Sequence, residues 1–144
     1  MAGLPVRIGV ALLAGVAGWV ASAPQALADD DRTGQLSVEI RNMRVEKAGE
    51  VFRFTHDRAF IEHGGVGVTL TQAQVCFSDG RCIGQPVDYR IEPNGELVNP
   101  DAVVEPVGAQ ETFAYSYKGE DDNGRPVLVR YEIQVAGERY EVKP

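Results

Sequence analysis

Between residues 127 and 135 the chain alternates without a break. Val127, Val129, Tyr131, Ile133 and Val135 fall at every second position, with Leu128, Arg130, Glu132 and Gln134 between them. Side chains project to opposite faces at successive residues of a strand, so a period of two buries one face and wets the other. A helix cannot bury that set, because its apolar positions recur every three or four residues. The longest regular signal in this sequence is therefore a half-buried β-strand.

The same period recurs along the chain. Val38 and Ile40 alternate with Ser37, Glu39 and Arg41, and the parity then slips at Met43 and Val45. A bulge near Asn42 accounts for the slip. Val51, Phe52 and Phe54 form a second short strand. Val66, Val68 and Leu70 lead through a second odd step to Ala73, Val75 and Phe77. Val87, Tyr89 and Ile91 run into Pro93-Asn94-Gly95, a hairpin signal, with Glu96-Leu97-Val98 as the return. Residues 99–110 hold Pro100, Pro106 and Gly108 and predict an irregular crossover. Phe113, Tyr115 and Tyr117 alternate again, and a last strand holds Tyr140 and Val142. One short helix is expected, from Thr55 to His63. About seven to eight strands with Gly and Pro turns predict an all-β fold. The long hairpin from Phe113 to Val135, preceded by a crossover, favours an immunoglobulin-like antiparallel β-sandwich over a closed barrel. The antibody pattern of Cys, Trp and Cys is missing, and the comparison is architectural.

The first 28 residues read differently. Arg7 precedes an apolar run from Ile8 to Ala23, and Ala26-Leu27-Ala28 precedes Asp29-Asp30-Asp31. A basic start, an apolar stretch and an Ala-x-Ala site form the pattern of a cleaved signal peptide. The run is short for a spanning helix, and no Cys near Ala28 offers a site for a lipid anchor. The expected organisation is a signal peptide at 1–28, a flexible acidic segment at 29–35 and one β domain at 36–144. The protein is then exported, periplasmic or secreted, without stable membrane insertion after cleavage.

Export fixes the reading of Cys76 and Cys82, the only two cysteines. In an oxidising compartment they form a disulfide. With Ser78-Asp79-Gly80 as a three-residue hairpin loop, Gly80 takes the left-handed position and Cys76 faces Cys82. The short loop gives a staple worth about 2 kcal/mol. It also stiffens a tip that exposes Asp79 and Arg81, which makes that tip a candidate recognition element.

Cleavage removes one basic residue and leaves 13 basic against 21 acidic, a net charge near −8. Such a surface repels phosphate backbones and excludes nucleic acid as a partner. No nucleophile elbow, H-E-x-x-H or phosphate loop is present. The expected function is that of a non-enzymatic binding module, without a cofactor, that contacts a protein or an envelope component through loops and an edge strand. A second reading is a copper- or zinc-binding protein using His56, His63 and Met43, although their spacing matches no standard site. A third is a small secreted enzyme. Glu120-Asp121-Asp122-Asn123-Gly124 has the composition of a calcium loop without its spacing, and is expected to be a solvated turn.

Overall fold

The computed structural model describes residues 31–144. The expected signal peptide lies outside the described residues. Eight strands and no helix make up the described chain: β1 (Leu36–Ala48), β2 (Val51–Glu62), β3 (Val68–Phe77), β4 (Cys82–Ile91), β5 (Glu96–Val104), β6 (Gln110–Asp121), β7 (Pro126–Ala136) and β8 (Arg139–Lys143). They form two antiparallel sheets, ordered β1-β2-β5 and β4-β3-β6-β7-β8. The sheets stack face to face, with β1 against β7 and β5 against β4.

The alternating residues supply the core between them. Val127, Val129, Tyr131, Ile133 and Val135 are all buried, as are Phe54, Phe60, Val68, Leu70, Ile91, Val104, Phe113 and Tyr117. Both expected bulges are present. The β1–β2 register shifts between Arg41 and Arg44, where Asn42 takes a φ of 52°. The β3 register shifts between Leu70 and Gln72 against both of its neighbours. Gly119 passes β3 at this second bulge. A Cβ there would lie 1.9 Å from the Thr69 carbonyl oxygen, so only glycine fits.

Three expectations are corrected. The segment from Thr55 to His63 is not a helix; it belongs to β2, which runs straight through to Glu62. Phe54, His56, Ala59, Phe60 and Glu62 are buried, while Thr55, Asp57, Arg58 and Ile61 are half-buried. Placing His, Arg and Glu on an inward face conceals a strand from any reading that expects apolar residues there. Second, Asn94 does sit in a tight turn, with φ 53° and a Gly95 N–H···O=C Glu92 bond of 2.9 Å, but this turn does not make a hairpin. It carries the chain from β4 in one sheet to β5 in the other. Third, the expected crossover at 99–110 is strand as far as Val104, despite Pro100. Pro100 is tolerated because β5 is the edge of its sheet, where a missing N–H costs no ladder bond.

Residues 31–35 form no strand. They are tied to the end of the sandwich by two buried carboxylates. Glu62 accepts backbone N–H bonds from Gln35 (3.0 Å), Gly64 (2.6 Å), Gly65 (2.8 Å) and Asn94 (2.8 Å). Asp121 accepts from Gly34, Asn123 and Arg125, each at 2.9 Å. Burial pushes both carboxyls up, yet the converging N–H groups outweigh it and hold each below its ordinary value. The acidic turn is therefore not simply solvated, because Asp121 within it ties down the segment that precedes β1.

Candidate functional site

Residues directly opposed in an antiparallel pair project from the same face. The ladder pairs Ile83 with Val75, Val75 with Tyr115, and Tyr115 with Tyr131. Tyr131 is 2% exposed and faces the core, so this whole row lies on the inner face of the larger sheet. Exposure rises along it. Tyr115 and Val75 are half-buried, and Ile83 on the free strand β4 is 57% exposed. The next row places half-buried Phe77 beside Phe113, with ring centroids 5.6 Å apart. A three-stranded sheet does not cover all of a five-stranded one. The corner left over is formed by Val75, Phe77, Ile83 and Tyr115.

The free edge of this corner is unusual in composition. From Cys82 to Val87, six consecutive residues of β4 carry no charge. The uncharged runs of the other three edge strands are shorter, being broken by Glu39, Arg41, Arg44, Glu46 and Lys47 on β1, by Glu96 and Asp101 on β5, and by Arg139, Glu141 and Lys143 on β8. Edge charges block unwanted pairing, and here the block is absent beside an open apolar face. On the outer face of the same strands lies a trough of about 510 Å³, lined by Gln72, Gln74, Gly84, Pro86, Ser116 and Lys118.

The expected staple holds the corner in shape. Cys76 and Cys82 are direct ladder partners and are disulfide-bonded. Gly80 takes a φ of 86°, Gly80 N–H donates to Phe77 O at 2.9 Å, and Phe77 N–H donates to Arg81 O at 2.8 Å. That is the three-residue loop predicted from the spacing. The tip is also tied to β6. Thr112 N–H donates to Ser78 Oγ (2.7 Å), and Ser78 N–H donates to Glu111 Oε1 (3.0 Å). Asp79 and Arg81 pair with each other at 2.6 Å, and the Arg81 guanidinium lies 5.3 Å from the Phe77 ring centre. A cation thus borders the apolar corner at its tip. The guanidinium beside Asp79 holds that carboxyl below its ordinary value.

A second cation borders the corner from inside. Arg58 on β2 lies 5.5 Å from the Tyr115 ring centre and 5.8 Å from that of Tyr117, and it donates through Nη1 to the Tyr117 hydroxyl. Tyr115 and Tyr131 stack at 4.8 Å with an interplanar angle of 10°. Three buried side-chain atoms here have no protein hydrogen-bond partner: Arg58 Nε and both ring nitrogens of His56. Burial pushes the Tyr115 phenol up to about 12 and raises Tyr117 and Tyr131 as well. Burial, with help from the Arg58 cation, pushes the His56 imidazole down to about 4. At neutral pH this layer therefore holds one permanent positive charge among neutral rings. Such a set can bind and orient an anion.

The candidate metal residues are separated. His56 is fully buried, while His63 is exposed and hydrogen-bonded to Ser37 Oγ at 2.6 Å. Seven residues of extended chain span about 23 Å and end on opposite faces, so the two imidazoles cannot share an ion. Met43 is half-buried in the β1 bulge that faces His56. Among the described residues, no group of three or more His, Cys, Asp or Glu side chains is placed to hold a metal ion. No helix among them is long and apolar enough to cross a membrane. Arg58 was not singled out in the sequence, and neither Glu62 nor Asp121 was expected as a buried anchor; the only signal was charge at inward positions of an alternating pattern. Comparison with protein-family models, with curated proteins and with solved structures finds no match for this chain.

Proposed function

We propose that this protein is an exported, non-enzymatic, immunoglobulin-like β-sandwich that binds another protein or an envelope component. The binding surface is the uncovered corner of Val75, Phe77, Ile83 and Tyr115 with the uncharged edge of β4. One observation carries the reading: exposed Ile83 and half-buried Val75, Phe77 and Tyr115 lie beside the edge strand with the longest uncharged run, and a disulfide joins that strand to its neighbour. Monomeric surfaces rarely expose a contiguous apolar face next to a free edge without a partner for it. Rigidity lowers the cost of ordering on association. An extended segment laid on this corner would complete the sandwich, much as added strands complete open sheets elsewhere.

Export is supported by the pattern of residues 1–28 and by the bonded cysteines. The immunoglobulin-like type is supported by strand order. Taking β1, β2 and β5 as A, B and E, and β4, β3, β6 and β7 as C′, C, F and G, gives that strand order without strand D. β8 extends the second sheet by one strand.

Site-specific photocross-linking in the producing cells tests the proposal. A benzophenone side chain at Ile83 is expected to capture a discrete partner. The same group at Leu128, which is exposed on the outer face of β7, is expected to capture none. Equal labelling at both positions, or none at Ile83, would overturn it.

A further inference from the structure

We infer that Arg58 is a receptor for a carboxylate group, carried by the segment that occupies the uncovered corner. The inference rests on the binding reading above and names the chemistry of its partner. Most other arginines of the described chain already have acceptors. Arg41 pairs with Glu39 and Glu96, Arg44 with Asp101, Arg53 with Glu105, Arg81 with Asp79, and Arg90 with Glu92 and Asp122. Arg125 donates to the carbonyl oxygens of Asp31 and Arg32. These are surface pairs, where water could replace the partner at little cost.

Arg58 is the reverse case. It is half-buried, so its charge is partly removed from water, and among the described residues it has no ion-pair partner. Its hydrogen bonds go to the neutral phenols of Tyr117 and Tyr131, its Nε makes none, and the groups around it are the rings of Tyr115, Tyr117 and Tyr131. Cation–π contact recovers only part of the lost hydration. A guanidinium presents five donors in a planar fork that matches a carboxylate. The Nε–H of that fork has no partner among the described residues.

The route to it is the corner itself. Tyr115 lies two strands in from Ile83, about 10 Å at the usual strand spacing. Val75 lies between them in the same row, Ala73 lies beside it in the adjoining row, and both are small. A glutamate or aspartate on a segment lying over Val75 can span what remains. The protein's net negative charge repels acidic partners in general, so an attraction confined to Arg58, with Arg81 at the rim, selects by position. An apolar segment with one acidic residue meets both features: the corner takes its apolar side chains and Arg58 takes its carboxylate.

The test uses acetate as the carboxylate probe, followed by NMR at the Arg58 Nε–H, with chloride at matched ionic strength and sulfate as comparison anions. Acetate is expected to shift the Arg58 signal saturably. Chloride is expected not to, and the Arg58→Met variant should weaken the Tyr115 ring response to acetate roughly tenfold or more, the worth of a charged hydrogen bond. An Arg58 signal that moves equally with acetate and chloride, or that saturates with sulfate alone, would overturn the assignment. The wild-type titration decides the matter even if Arg58→Met fails to fold. Capture at Ile83 without acetate saturation would remove the carboxylate and leave the corner. Saturation without capture would remove the corner and leave Arg58 as an isolated anion site.

Discussion

His56 gives the most quantitative prediction. Its side chain is fully buried, and both ring nitrogens lack a protein partner. Burial first, and the Arg58 cation second, push its pKa from the ordinary 6.5 to about 4. The unfolded chain therefore binds a proton that the folded chain refuses between these two values. Stability contributed by neutral His56 is complete above about pH 6.5 and is lost as pH falls towards 4. At about 1.4 kcal/mol per tenfold change in proton affinity, the whole window is worth about 3 kcal/mol. Between pH 7.5 and pH 5, about 2 kcal/mol of it should disappear. With a urea dependence near 2 kcal/mol per molar, the unfolding midpoint should fall by about 1 M. Replacing His56 with leucine, which has a similar volume, should abolish this slope. It should also raise stability at neutral pH by about 1–3 kcal/mol, because two desolvated nitrogens are removed. Urea titrations of wild type and His56→Leu at pH 7.5, 6.5, 5.5 and 5.0 make the comparison. A wild-type midpoint that stays flat over this range, or a leucine variant that keeps the slope, would refute the reasoning.

The other predictions follow from the same geometry. Glu62→Gln leaves four N–H donors facing an amide that offers one acceptor oxygen, so we expect a loss of about 3 kcal/mol by urea unfolding, with faster hydrogen exchange at Gln35, Gly64, Gly65 and Asn94. Because the Glu62 and Asp121 carboxyls are held below their ordinary values, the stability they supply is present above the normal carboxylate range and is lost as pH falls through their folded values. In Glu62→Gln the acid midpoint, read by circular dichroism, should move to higher pH. Gly119→Ala drives a methyl against the Thr69 carbonyl and the Leu70 backbone, and should cost about 3 kcal/mol or more, or prevent folding. Replacing Cys76 and Cys82 together by serine should cost about 2 kcal/mol while leaving the fold intact. It should reduce photocross-linking at Ile83, because the edge beside it loses its staple.

Much of the architecture was legible because burial of one face writes a period of two into the sequence. The strand carrying Val127 to Val135, the bulges near Asn42 and after Leu70, and the Cys76–Cys82 loop all follow from local spacing and turn chemistry. β2 was not legible. Its inward positions include His56, Arg58 and Glu62, and a local rule for hydrophobic alternation fails where the inward residues are polar. The partition of strands between sheets was equally hidden. The turn at Asn94 is stereochemically the same whether the next strand pairs with β4 or crosses to the other sheet, and no residue within it records which.

The candidate site shows the same division. Sequence alone placed the disulfide, the exposed tip at Asp79 and Arg81, and the excess of acid that disfavours anionic partners. These are properties of neighbours along the chain or of composition. Only the tertiary structure made three strands face five, and so left Val75, Phe77, Ile83 and Tyr115 partly uncovered. It also set Arg58 among tyrosines about 60 residues away without a carboxylate. A strand's alternation says which side chains turn inward. What they meet there depends on the opposite sheet, and that is a fact of packing.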